Sequence, residues 1–278
     1  MLQRVDRMQL AVRDREAAAG TFAEVLGAEK VREDSVNALK ARRTVMQAGE
    51  SEFELLQPAG DGPVAQYLEE RPEGIFAAGF STADPEALGR HLNANGVRYQ
   101  EEGGQLFIGP DQTRGMRTVI SRFEERKPVG LIAWLYEVTN IVDDHRQAAD
   151  FYAGIFGLEA SRFSPIKSDR WGYEGTLTLF DPPARLDRIE LTQTTDPALA
   201  MGRFYGRRGQ SIYMCYVETD DVAAIQARLE ARGARYEGRA DAQDGLFIHP
   251  SALCGMLMGV SRTNLAWNWS GRPELARR

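Results

Sequence analysis

Two neighbouring stretches decide the fold: Arg188–Thr192, which reads RIELT, and Arg207–Asp221, which reads RRGQSIYMCYVETDD. The first has the pattern of a strand. The second reads as a helix end, a glycine turn, a strand and the acidic start of another helix. The first half of the chain has the same order of elements in Glu52–Pro58, EFELLQP, and Glu69–Asp84, EERPEGIFAAGFSTAD. The chain is therefore predicted to be a tandem duplication.

Around these stretches, each half shows a strand, a helix and three strands, twice over. Asp14–Gly27 and Asp144–Gly157 each have the acidic cap, the apolar face and the glycine stop of a helix. Residues 38–57 are predicted to hold three strands joined by tight turns. A charged segment ending in Pro and Gly lacks periodicity and is predicted to be a linker. The predicted organisation is two domains at 1–123 and 131–262, a linker at 124–130, and an irregular, docked tail at 263–278.

The composition bounds the function. The chain has 278 residues, 43% of them hydrophobic, and a net charge of −6. An acidic chain without a basic stripe is not expected to bind nucleic acid. No apolar run is long enough to span a membrane, and the first residues do not resemble a signal peptide, so we expect a cytoplasmic protein. Of only two cysteines, Cys215 lies in an apolar strand and is predicted to be buried and inert. His91 and His145 are predicted to lie on exposed helix faces.

Three motifs carry a family resemblance. The first is Phe151–Leu158, FYAGIFGL, which has a shorter counterpart in the first half. The second is Arg208–Ile212, which leads into a strand. The third is Leu246–Pro250, LFIHP, which precedes Gly255. With the repeated modules, they resemble the vicinal oxygen chelate superfamily, also called the glyoxalase/bleomycin-resistance/dioxygenase fold, and within it methylmalonyl-CoA epimerase. The resemblance implies an α+β fold: two tandem domains, each a pair of βαβββ modules forming a cupped mixed sheet with the active site inside.

The resemblance also implies where a divalent metal would bind, because the family holds it with two His and two acidic or amide side chains that face the cup. At these four positions the first domain has Arg7, Glu54, Ala77 and Val119, and the second has Glu137, Glu190, Met214 and Gly259. Neither domain keeps a His ligand. Divalent ions need several converging oxygen or imidazole donors, so we predict no metal and no cofactor.

Three carboxylates are the catalytic candidates. Glu137 and Glu190 lie on strands that are neighbours in this fold, so their carboxyl groups are expected to face each other and to share a proton. The alternative is that one of them points outward or pairs with Arg188 or Arg185. Glu174 lies where the epimerase family has a proton-transfer carboxylate; the alternative is a solvated strand residue.

Aromatic side chains concentrate in the second half, where some fill the core and others are expected to line a pocket. Arg203, Arg207 and Arg208 form either a solvated helix face or a site for an anionic group. The predicted substrate-binding residues are Tyr213, Tyr216, Met214, Trp171, Tyr173 and His249.

From these residues we expect a metal-independent isomerase or lyase that performs proton transfer on a small, partly apolar carbonyl compound in the C-terminal cup. The first domain is expected to be structural, with a salt bridge between Arg7 and Glu54 filling its cup. The alternative is a non-catalytic, drug-sequestering binding protein. A metal-dependent epimerase or an extradiol dioxygenase fits the residues less well. The exposed edges of such sheets would allow a homodimer.

Overall fold

The computed structural model describes residues 1–242, 245–262 and Ser270. It contains two eight-stranded mixed sheets flanked by helices, which confirms the predicted α+β fold of two tandem domains built from paired βαβββ modules. The predicted tail at 263–278 lies outside the described residues except for Ser270, which is buried.

The first sheet and its helices span residues 2–122. Its strands are β1 (Leu2–Ala11), β2 (Glu29–Val36), β3 (Ala41–Ala48), β4 (Ser51–Pro58), β5 (Gly74–Thr82), β6 (Gln100–Glu102), β7 (Gln105–Ile108) and β8 (Thr118–Arg122). Its helices are α1 (Arg15–Leu26), α2 (Pro63–Glu70) and α3 (Pro85–Ala94). The strand order is β2-β3-β4-β1-β5-β8-β7-β6, so the first strands of the two modules pair antiparallel at the centre.

The second sheet repeats this arrangement. Its strands are β9 (Trp134–Ile141), β10 (Ser164–Ser168), β11 (Tyr173–Leu179), β12 (Arg188–Thr194), β13 (Ser211–Thr219), β14 (Tyr236–Gly238), β15 (Leu246–Ile248) and β16 (Met258–Arg262). Its helices are α4 (His145–Phe156), α5 (Ala200–Arg208) and α6 (Val222–Ala231). The strand order is β10-β11-β12-β9-β13-β16-β15-β14.

The helix boundaries follow the capping signals of the sequence. The Asp14 and Asp144 side chains each accept two backbone N–H groups of the first turn. Gly27 and Gly157 end α1 and α4 with φ of 68° and 64°, a conformation that glycine adopts at little cost. Both predicted helices are confirmed.

The first-module strands differ from the prediction. The three strands cover 29–58 rather than 38–57, because β2 lies ahead of the predicted region. This strand, EKVREDSV, is exposed at most positions and forms the edge of the sheet, so it has no buried face to impose an alternating pattern.

One apolar core joins the two domains. It contains residues of β1 and β5 together with residues of β9 and β13, among them Met8, Phe80, Val138 and Cys215. The Tyr152 hydroxyl donates to the carbonyl of Thr113 across the junction at 2.8 Å. Cys215 is fully buried, as predicted, and burial raises the pKa of its thiol. The domains are therefore fixed against each other by packing as well as by the linker.

Candidate functional site

The second sheet encloses a cavity of about 1570 Å³. Its walls come from strands β10 to β13 and β15 and from helix α5. The N-terminal domain adds Arg13, Pro72, Glu73 and Ile75. The cavity is lined by seven of the predicted site residues: Glu190, Trp171, Tyr173, Tyr213, Met214, Tyr216 and His249. Glu137 and Glu174 are not among the lining residues.

Glu137 is neutralised by an arginine beneath the cavity. In the parallel pairing of β9 with β12, Arg188 lies beside Glu137 and Glu190 lies beside Thr139. The Arg188 Nε donates to Glu137 Oε2 at 2.6 Å, and both side chains are fully buried. Arg188 also donates to the Ser270 hydroxyl at 2.7 Å. Glu137 thus has the alternative partner, Arg188, and it is also hydrogen-bonded to Glu190, so the two carboxyl groups face each other as expected.

Of the two neighbouring carboxyl groups, that of Glu190 lines the cavity. The Thr139 hydroxyl lies 3.4 Å from Glu190 Oε2 and 3.3 Å from Glu137 Oε1, so it links the two carboxyls. Glu190 is only 6% exposed. Burial, the negative charge of Glu137 and hydrogen bonding to it raise the pKa of Glu190 well above its usual range, and the more distant Arg188 opposes this only in part.

Aromatic rings surround this carboxyl. The Tyr216 ring centre lies 5.9 Å from that of Tyr136 and 5.8 Å from that of Phe247, and Trp171 lies 6.2 Å from Phe247. Burial raises the pKa of the phenols of Tyr216 and Tyr173, so both stay neutral hydrogen-bond donors. Phe247 was not singled out from the sequence, although it belongs to the LFIHP motif.

A bulge in β13 brings consecutive side chains to the cavity. The pairing with β9 slips between Ile212 and Met214, so Tyr213 is the extra residue. As a result Ile212, Tyr213 and Met214 all line the cavity, which a regular strand would not allow. The in–out alternation of side chains that is used to predict a strand from its sequence does not show where such a bulge occurs.

Glu174 faces the other side of the sheet. It alternates with Tyr173, which lines the cavity, and its charge acts on the ring of His145 on α4. The prediction that Glu174 faces the cup is therefore wrong, because the register of β11 is shifted relative to the expected one. His145 is buried rather than exposed, with Nδ1 2.8 Å from the Thr176 hydroxyl, whereas His91 is exposed as expected.

His249 lies at the rim, half-buried, where its Nδ1 is 2.8 Å from the Ser251 hydroxyl and accepts the Ser251 backbone N–H at 3.1 Å. Its side chain thus caps the turn that follows β15. This geometry fits a structural role at the edge of the cavity.

The residues of the second cup do not fit the divalent metal that the fold family implies. Glu137 is committed to a guanidinium, and Met214 is a poor ligand for such ions. The Tyr216 ring lies over Gly259, where the resemblance places an acidic ligand, and even a methyl group there would overlap the ring. Within residues 1–242 and 245–262 no three His, Cys, Asp or Glu side chains converge as a metal site would require.

Charged side chains occupy the first cup and leave a cavity of about 420 Å³, which Arg7, Arg43 and Glu52 help to line. Arg7 Nη1 lies 2.7 Å from Glu54 Oε1 and Arg43 Nη1 lies 3.1 Å from Glu54 Oε2, which confirms the predicted salt bridge and adds a second cation. Ala77 and Val119 belong to an apolar cluster in the same domain. The guanidiniums of Arg7 and Arg43 outweigh the cost of burial and lower the pKa of Glu54 to about 2.

Taken together, the paired modules and the cupped sheets define a tandem vicinal-oxygen-chelate protein. Residues 4–117 and 134–245 match the model of the Glyoxalase/Bleomycin resistance protein/Dioxygenase superfamily. The chain belongs to this superfamily.

A solved structure shares the fold over nearly the whole chain. A triple mutant of 4-hydroxymandelate synthase from Streptomyces coelicolor superposes with a TM-score of 0.70 at 15% identity, over 99% of this chain and 98% of that one. A methylmalonyl-CoA epimerase from the same organism has 23% identity and a TM-score of 0.40, over 44% of this chain and 99% of its own. The epimerase from Mycobacterium tuberculosis has 23% identity and a TM-score of 0.41, over 48% of this chain and 89% of its own. No curated protein sequence matches the chain. No helix in the described part of the chain is long and apolar enough to cross a membrane.

Proposed function

We propose that the C-terminal cup is the active site of a metal-independent isomerase or lyase that transfers a proton next to a carbonyl group. The observation that carries this proposal is Glu190: a buried carboxyl that lines a large aromatic cavity beside Glu137, with its pKa raised well above the usual range. Raised carboxyl pKa values suit proton transfer near neutral pH, because the ionised group is then a stronger base and the protonated group persists to higher pH.

The geometry supports a proton shuttle. The Glu190 carboxylate takes a proton from the carbon beside the carbonyl, and the electron pair moves to the carbonyl oxygen. A neutral phenol of Tyr213 or Tyr216 donates a hydrogen bond to that oxygen and stabilises its developing charge. Return of the proton to another position gives isomerisation; departure of a group from the neighbouring carbon gives elimination.

The test is deuterium exchange in D₂O, followed by proton NMR on a panel of carbonyl acids and thioesters with chelator-treated protein. The wild-type protein is expected to speed exchange of the proton beside the carbonyl, and Glu190→Gln is expected to lose 10²-fold or more of that rate. Glu174→Gln is the matched control, because it makes the same chemical change on the neighbouring strand, on the face of the sheet that points away from the cavity.

Two results would count against the proposal. Exchange at the wild-type rate in Glu190→Gln would remove the proposed shuttle, and exchange that stops on chelation would show that a metal is needed. Ligands that bind in the cavity without any exchange would instead favour the alternative, a non-catalytic binding protein. That alternative draws its support from the aromatic lining, which binding alone requires.

A further inference from the structure

The mouth of the cavity is strongly cationic although the chain is acidic. The net charge of the protein is −6, yet seven Lys and Arg side chains line the cavity against three glutamates. A concave site lined by one sign of charge focuses its field on the opening and attracts ligands of opposite sign. The charge of this opening therefore selects for anions.

Helix α5 presents its arginines to the cavity. Ala200, Arg203, Phe204, Arg207 and Arg208 all line it, and their spacing of three and four residues places them on one face of the helix. A helix that only shielded the core would turn such a cationic face to solvent. The Arg208 guanidinium stacks on the Phe204 ring at 5.0 Å, and Phe204 packs edge-on against Tyr213 at 5.0 Å. These contacts hold the Arg208 side chain in place.

The N-terminal domain supplies the opposite wall. Arg13 follows β1; its backbone N–H donates to the Glu73 carboxylate, and its guanidinium donates to the Leu68 carbonyl at 2.9 Å. The Tyr67 hydroxyl on α2 interacts with Arg208 of the other domain. Arg13 thus lines the same cavity as the α5 arginines from across the domain junction.

These arginines keep their charge available. Among the residues that the structure describes, no carboxylate forms a salt bridge with Arg13, Arg203, Arg207 or Arg208. Planar guanidiniums bind carboxylates and phosphates through paired hydrogen bonds. The cavity volume of about 1570 Å³ also exceeds the several hundred Å³ that a small carbonyl compound needs.

We propose that the cup binds a bulky organic anion with at least two negative charges, clamped between Arg13 of the N-terminal domain and the arginines of α5, with its uncharged end directed toward Glu190. This rests on the proposed function for the location of the reacting end. The N-terminal domain then determines specificity, because it provides one side of the clamp.

Calorimetric titration of the full chain with pyrophosphate and with citrate tests the clamp without any carbonyl substrate. We expect saturable binding that weakens with added salt, and about tenfold weaker binding in Arg13→Gln and in Arg207→Gln. Arg146→Gln, an exposed arginine on α4 that does not line the cavity, is the matched control and should bind as the wild type does. Tighter binding of pyrophosphate would indicate a phosphate-bearing ligand, and tighter binding of citrate a polycarboxylate.

Absence of saturable binding of either anion would overturn the clamp, and so would equal losses in Arg146→Gln and Arg207→Gln. Unchanged binding in Arg13→Gln would overturn the contribution of the N-terminal domain. Anion binding without proton exchange in any substrate would leave the clamp standing and reject the proposed chemistry, so the two proposals fail separately.

Discussion

Glu54 and Glu190 occupy equivalent positions on the fourth strand of their domains, and both are buried. Arg7 and Arg43 contact both oxygens of Glu54 and hold its pKa at about 2. Arg188, the cation nearest to Glu190, binds Glu137 instead, and the pKa of Glu190 rises. The placement of the arginines therefore decides which cup holds a fixed anion and which holds a titrating acid.

Replacing Arg7 by Met should destabilise the protein by about 3–5 kcal/mol at pH 7, because it removes the cation that three buried carboxylates share and leaves only Arg43 and Arg126 beside them. The lowered pKa of Glu54 means that its ion pair stabilises the folded state above about pH 4.5, and that this contribution is lost as the pH falls toward 2. The difference between variant and wild type should therefore shrink below pH 4.5. Urea unfolding across this pH range measures it.

Arg98→Gln is the control for this prediction, because the Arg98–Asp111 pair is exposed and 3.8 Å apart, and such pairs contribute about 0–1 kcal/mol. An Arg7→Met variant no less stable than Arg98→Gln would show that the stability of the first domain does not depend on this ion pair.

The sequence identified the candidate catalytic glutamates. It could not show which of them pair with an arginine or face away from the cavity. A sequence shows that Glu137 and Arg188 lie on neighbouring strands; the registers of β9 and β12 decide that they pair. Glu174 was assigned to the wrong face for the same reason, since a slip of one residue moves every side chain of a strand to the other face.

At the scale of elements, the shape of the second cup depends on close contact between β13 and β16. Tyr216 on β13 leans over Gly259 on β16, where any Cβ would meet the ring. Glycine here provides the space that lets an aromatic side chain take the place of an acidic one.

Gly259→Ala should displace the Tyr216 ring, destabilise the protein by about 1–3 kcal/mol and reduce ligand binding in the C-terminal cup. Thermal unfolding and the anion titration above measure both effects. Gly154→Ala is the control: it lies inside α4 with open space around its Cα, so alanine should raise stability by about 0.5–1 kcal/mol. Equal changes in stability and in anion binding for the two variants would contradict the contact between Tyr216 and Gly259.

Most elements were predictable because their signals are local: aspartate caps, glycine stops and apolar strands. Strand β2 was not, since an exposed, charged edge strand has no such signal. The bulge at Tyr213 was also beyond prediction, and the sequence left open whether the arginines of α5 face solvent or a site, because both features depend on partners that are distant in sequence.

At the scale of the whole molecule, duplication has produced two cups with one topology and different contents. We propose that the first domain, in which ion pairs hold the glutamate of the cup, is a structural partner that also provides the outer wall of the second cup. The shared core fixes this arrangement, because residues of both sheets pack in one apolar cluster. Arg13, Pro72, Glu73 and Ile75 line the cavity of the other domain, so the site belongs to the pair of domains.

The most direct test of the different roles of the two cups is NMR titration of ¹³C-labelled glutamate carboxyl groups in the intact protein. The Glu190→Gln variant assigns the Glu190 resonance. The resonance missing in the variant should titrate well above the ordinary glutamate value of about 4.3, and a second buried carboxyl should stay ionised down to about pH 2. A Glu190 resonance that titrates at or below 4.3 would contradict the assignment of Glu190 as the proton-holding group of the C-terminal cup.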